Sequence, residues 1–115
     1  MKNLLLISLC LFPLHVIAQD NWSQIEGSYV LTGSELIDPD PSTPLKTHLR
    51  FSLTGKVAQD LYQAMDVDVV IDECTGLPSK SVKDMRCYFE KSDDSYLCDF
   101  SIDIAEQVIG YGLSC

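Results

Sequence analysis

The sequence predicts an α+β domain: an antiparallel sheet of four to five strands, one packed helix and two disulfides. Three observations carry that expectation. Several segments alternate apolar and polar residues with the period of a half-buried strand. A single segment, from Gly55 to Met65, changes to a helical period. Four cysteines remain after an N-terminal leader is set aside, at spacings that suit disulfides.

The leader comes first. Lys2 supplies a positive start, Leu4 to Phe12 is apolar except for Ser8, and Pro13 interrupts the run. Val16-Ile17-Ala18 ends in a small residue, with Gln19 as the expected mature start. That order reads as a secretory signal peptide over residues 1–18 and an exported domain over 19–115. A lipid-anchored reading of Cys10 fails, because Leu9 precedes it where a small residue is needed and the apolar run continues past it. No later segment is apolar enough to span a bilayer. The expected location is therefore periplasmic or secreted.

The elements follow in order. Ser28 to Leu36 reads as a first strand, with Tyr29, Leu31 and Gly33 on one face. Asp38-Pro-Asp-Pro-Ser-Thr-Pro44 holds three prolines, which forbid helix and central strand and leave a stiff surface loop. Leu45 to Leu53 alternates cleanly. Leu45, Thr47, Leu49, Phe51 and Leu53 lie on one side, and Lys46, His48, Arg50 and Ser52 on a polar outer side. Thr54 is the expected N-cap of the helix. Its apolar stripe is Val57, Ala58, Leu61, Tyr62 and Met65, and Lys56, Gln59, Asp60 and Gln63 face away.

Val67 to Asp72 is β-branched and reads as another strand. Glu73 to Lys80 contains Gly76 and Pro78 and reads as a loop. Lys83 to Glu90 and Ser95 to Ile104 alternate on either side of Ser92-Asp93-Asp94, a hairpin signature. Ala105 to Cys115 reads as a turn and a short final strand.

Cys10 leaves with the leader, so Cys74, Cys87, Cys98 and Cys115 form the disulfide set. Zinc sites use close cysteine pairs, which these spacings lack. A hairpin centred between Ser92 and Asp93 sets Cys87 opposite Cys98. A direct bond there closes only a short loop. The expected pairing is instead Cys74 with Cys87 and Cys98 with Cys115, each bond reaching a flanking segment.

The pattern Leu53-x-Gly55-x-x-Ala58-x-x-Leu61-Tyr62-x-x-Met65, followed by Cys74, Met85-x-Cys87, Tyr96-x-Cys98-x-Phe100 and Cys115, resembles small exported bacterial proteins and lipoproteins with four cysteines. The resemblance covers residues 45–115. It implies export and disulfides, and it carries no catalytic residue with it.

Chemistry is sparse. Past the leader His48 is the one histidine, flanked by Lys46 and Arg50, and no serine sits in a nucleophile-elbow context. The expectation is no enzyme and no cofactor. Asp66, Asp68, Asp72 and Glu73 are dense in oxygen ligands, but the run lacks the Gly and Glu positions of a calcium-binding loop.

Seventeen acidic residues against eight basic ones give a formal net charge of -9. Loss of Lys2 with the leader leaves seven basic residues against seventeen acidic ones, a charge of -10. That balance excludes an electrostatic nucleic-acid binder. The function expected is a binding or inhibitor-like domain for a cationic protein, steered by charge. The alternatives are an assembly component of the cell envelope and a carboxylate-based hydrolase. Two loops are candidate partner contacts: the proline-rich loop with Asp38 and Asp40, and the loop carrying Leu77 and Pro78.

Overall fold

The structure, a computed structural model, describes residues 21–33 and 46–112. They form a seven-stranded antiparallel sheet and one helix. The elements are β1 (Glu26–Thr32), β2 (His48–Thr54), α1 (Gly55–Ala64), β3 (Val70–Ile71), β4 (Pro78–Val82), β5 (Met85–Glu90), β6 (Ser95–Asp103) and β7 (Val108–Gly110). Across the sheet the order is β1-β2-β6-β5-β4-β3, and β7 pairs with β6 beyond the end of β5. Antiparallel α+β architecture stands as expected. The strand count does not, because seven strands replace four to five.

β4 is the strand that the sequence pattern hides. Pro78 and Gly76 made Glu73 to Lys80 read as a loop, yet Pro78 is the first residue of β4. A proline is tolerated there because the first strand position need not donate to the ladder. The β4–β5 hairpin then turns at Lys83, which takes a left-handed φ of 52°. Only Val70 and Ile71 of the expected Val67–Asp72 strand pair with a neighbour. β-Branched residues favour strands where they pack, and here Val67, Val69, Val70 and Ile71 are exposed.

The helix begins and ends where its period indicates. Thr54 takes extended N-cap geometry without a side-chain cap bond. A carboxylate arrives from elsewhere: that of Glu26 occupies the space a Cβ on Gly55 would need. Negative charge suits a helix N-terminus. At the other end, Lys80 Nζ donates to the carbonyls of Tyr62 and Met65, both at 3.2 Å. A cation is favourable at this end of the dipole.

The predicted stripe faces the sheet. Ala58 and Met65 are buried with Leu53, Cys87 and Cys98, and Val57, Leu61 and Tyr62 pack against them. Burying a side chain such as Leu53 contributes about 1.5–3 kcal/mol, so this small cluster leaves a role for covalent support.

That support differs from the expected pairing. Cys87 and Cys98 are bonded to each other, with Cα atoms 4.0 Å apart. The register is the cause: Glu90 pairs with Ser95, so Cys87 stands directly opposite Cys98 on the helix-covered face. Close Cα spacing is that of a non-hydrogen-bonded antiparallel pair, whose side chains lie nearest each other. The expected Cys74–Cys87 and Cys98–Cys115 bonds are both excluded, since each needs a cysteine already used. Cys74 is itself disulfide-bonded, and Cys115 lies outside the described residues.

Candidate functional surfaces

Strand alternation gives the sheet two different faces. On the helix face the register builds cross-strand rows. Gly27, Leu53, Cys98, Cys87 and Lys80 form the row under α1. Tyr29, Phe51 and Phe100 form the next, with Phe51 and Phe100 stacked at 5.0 Å between ring centroids. Leu31, Leu49, Ile102 and Ile109 form the third. A helix of ten residues is about 15 Å long. It buries Leu53, Cys98 and Cys87 at the centre of the first row, while Leu31 and Ile109 in the third remain exposed.

The face opposite the helix is polar, as the alternation in β2 predicts, but it is not open to solvent throughout. Arg50, expected on an outer surface, is only 6% exposed. The chain after β7 returns over it. Arg50 Nη1 donates to the Tyr111 carbonyl at 2.9 Å and to the Gly112 carbonyl at 3.0 Å, and Nε donates to Thr32 Oγ1 at 2.7 Å. Ser101 Oγ donates to the same Tyr111 carbonyl at 2.7 Å. Burial pulls the Arg50 guanidinium below its ordinary pKa, and the three acceptors offset part of that desolvation.

A second polar link ties β3 to β5. Arg86 Nη1 lies 3.1 Å from Asp72 Oδ1 and 3.4 Å from the Tyr88 hydroxyl. Asp72 Oδ2 accepts bonds from the Thr75 backbone N–H and hydroxyl, at 2.8 and 2.9 Å. These bonds, then the charge of Arg86, hold the Asp72 carboxyl below the usual carboxylate range. Desolvation raises the Tyr88 phenol above its ordinary value. Asp99, also buried, stands between Ser52 and Arg86 in the register.

The strand ends carry the exposed charge. β3–β4 and β5–β6 turn at the same end of the sheet, because Pro78 opens β4 beside the last residues of β5. Glu73, Asp93 and Asp94 are exposed in these turns, Glu90 is half-buried, and Lys91 is the one cation among residues 72–77 and 90–95. Asp72 in the same turn already answers Arg86.

The other expected contacts are spread out. Leu77 and Pro78 are half-buried rather than at an exposed tip, because Pro78 pairs with Ile71 and the Leu77 carbonyl accepts from the Asp72 N–H at 2.9 Å. Asp38 and Asp40 lie outside the described residues. His48 sits opposite Asp103, with Nε2 and Oδ2 3.5 Å apart, and its Nδ1 is 2.8 Å from Thr47 Oγ1. It meets a carboxylate across the sheet rather than the cations beside it in sequence. No group of three or more metal-capable side chains occurs among the described residues. None of their helices is long and apolar enough to cross a membrane.

Arg50, Lys80 and Arg86 were not singled out by sequence reading. The one legible signal was Arg50 inside a strongly alternating strand. The tail and helix end that the first two serve are long-range contacts with no local signature. No family model, curated protein or solved structure matches the chain.

Proposed function

We propose that this chain is an exported, non-enzymatic binding domain that engages a cationic protein through the acidic end of its sheet. The observation that carries this reading is the convergence of Glu73, Glu90, Asp93 and Asp94 on two neighbouring turns, in a chain of net charge -9. A patch of one sign raises the encounter rate with an oppositely charged partner and disfavours like-charged ones. Export is supported by the leader pattern, by the disulfide and by the resemblance to small exported bacterial proteins. A lysozyme-like cell-wall hydrolase is a partner of the right charge and compartment.

The test is capture on the immobilised, oxidised protein from envelope and secreted extracts, eluted with a salt gradient. The expected result is one cationic protein released by salt, and its loss when Glu73, Glu90, Asp93 and Asp94 are changed together to their amides. Retention by that variant, or capture insensitive to salt, sinks the reading.

A further inference from the structure

The outermost strand β1 has a different character from the acidic end. Among the described residues it pairs only with β2, along all seven of its residues. Its apolar side chains are open: Tyr29 is 70% exposed, Val30 53% and Leu31 40%. Just before it, Trp22 and Ile25 are exposed as well. An edge strand with unpaired backbone groups and apolar side chains is a template for another strand. Lysine, proline and bulges are the usual guards of such an edge, and residues 21–33 contain neither lysine nor proline.

We infer that β1 is a self-association edge, pairing antiparallel with β1 of a second copy of this chain about a two-fold axis. Charge selects this occupant and this edge. Two copies of a chain at -9 repel, so they can meet only where charge is scarce. Residues 21–33 hold one Asp, Glu, Lys or Arg, Glu26, whose carboxylate packs at Gly55 against the start of α1. The opposite edge, β3, has only two residues and is bracketed by Asp66, Asp68, Asp72 and Glu73. A second copy is turned away there by like charge.

The geometry of a two-fold pair is consistent with this choice. An axis beside Tyr29 separates the two Glu26 residues by six strand positions, about 20 Å at about 3.4 Å per residue. That exceeds the Debye length of roughly 8 Å at physiological salt. A two-fold axis normal to the sheet keeps both helices on one face. The aromatic row through Tyr29 then continues from one copy into the next, and Leu31 of each copy stands opposite Gly27 of the other.

Sedimentation equilibrium of the oxidised chain from Gln19 onward, which contains every described element, tests the inference. A concentration-dependent dimer is expected. Tyr29→Glu sets two like charges beside the axis, and Leu31→Glu presses a carboxylate against Gly27 of the other copy, where it loses water; each should weaken the dimer by at least about tenfold. Both sites are exposed, so the far-ultraviolet circular dichroism and melting cooperativity of the separated monomer should be kept. A chain that stays monomeric at every concentration overturns the inference, as does a dimer that both variants leave intact. The acidic-end amide variant should dimerise at least as well as the parent, so failure of this inference is distinguishable from failure of the partner-binding proposal.

Discussion

Arg50 donates to the Gly112 carbonyl at 3.0 Å, joining the second strand of the sheet to the returning tail across 62 residues of sequence. The contact turns a nominally outer face into a partly covered one. It also makes a buried cation the holder of the tail.

Arg50→Ala should therefore release the tail as well as destabilise the sheet. It removes charge-assisted bonds to Tyr111, Gly112 and Thr32 together. Such bonds contribute about 1.5–3 kcal/mol each and are not additive, so a total loss of about 2–4 kcal/mol is expected. Arg50→Lys should recover little, because an ammonium lacks the planar fork that reaches separate acceptors. Hydrogen exchange near residues 108–112 should rise in both variants. Unchanged exchange there would show that the tail is held by other contacts.

Gly112 should resist substitution for a local reason. A Cβ at this position would fall on the Phe100 backbone N and against Asp99. Gly112→Ala should push the tail off β6, lowering stability and raising tail exchange in the same pattern as Arg50→Ala. By contrast, nothing lies within 4 Å of a Cβ built on Gly76. Its φ of +72° still costs a substituted residue strain, but Gly76→Asn, a residue that tolerates this region, should be nearly neutral. Chemical denaturation of the two variants side by side distinguishes a contact penalty from a backbone one.

The Cys87–Cys98 bond closes a short loop at the centre of the core. In the chain-entropy model a loop with sequence separation 11 contributes about 2–3 kcal/mol. Cys98 Sγ also lies 3.4 Å from the Ala58 carbonyl, a packing contact, since a disulfide sulfur has no proton to donate. A Cys87→Ala, Cys98→Ala double variant loses both the cross-link and this filling volume. It should melt at least about 8 °C lower than the parent. A calorimetric midpoint within a degree or two of the parent would contradict a central role for the bond.

Acid should weaken the β3–β5 link. The folded-state pKa of Asp72 is depressed, so its contribution is present above the unfolded carboxylate range and is lost as pH falls through the folded value. Stability measured in urea should decline below about pH 4 more steeply in the parent than in Asp72→Asn. The variant also loses some stability at neutral pH, where its amide no longer meets Arg86 as an ion. Parallel curves for the two proteins would show that Asp72 makes no pH-dependent contribution.

Partner recognition and self-association should separate by mutation. The amide variant at Glu73, Glu90, Asp93 and Asp94 should lose salt-sensitive capture while keeping its association state. Leu31→Glu should lose association while keeping capture. Binding titrations and sedimentation on the same two preparations check both halves.

Local patterning determined much of this molecule. The stripe Val57, Ala58, Leu61, Tyr62 and Met65 specified both the helix and its buried side, because a 3.6-residue period allows one apolar face. Alternation in β2, β5 and β6 specified which residues share a sheet face, and the Ser92–Asp94 turn fixed the hairpin register. The same register contained the Cys87–Cys98 pairing. The expectation went elsewhere because a short loop was weighed against a longer one, whereas the side-chain proximity of directly opposed residues decides it.

Tertiary structure alone decided what covers each face. β4 was hidden because Gly76 and Pro78 signal a break, and only its neighbours β3 and β5 show that Pro78 starts a strand. Arg50 reads as a surface cation until the tail arrives from 62 residues away. The neighbouring turns that gather Glu73, Glu90, Asp93 and Asp94 are likewise a product of strand order. A short-range pattern encodes orientation within an element; burial and charge density depend on distant segments, whose approach no local period records.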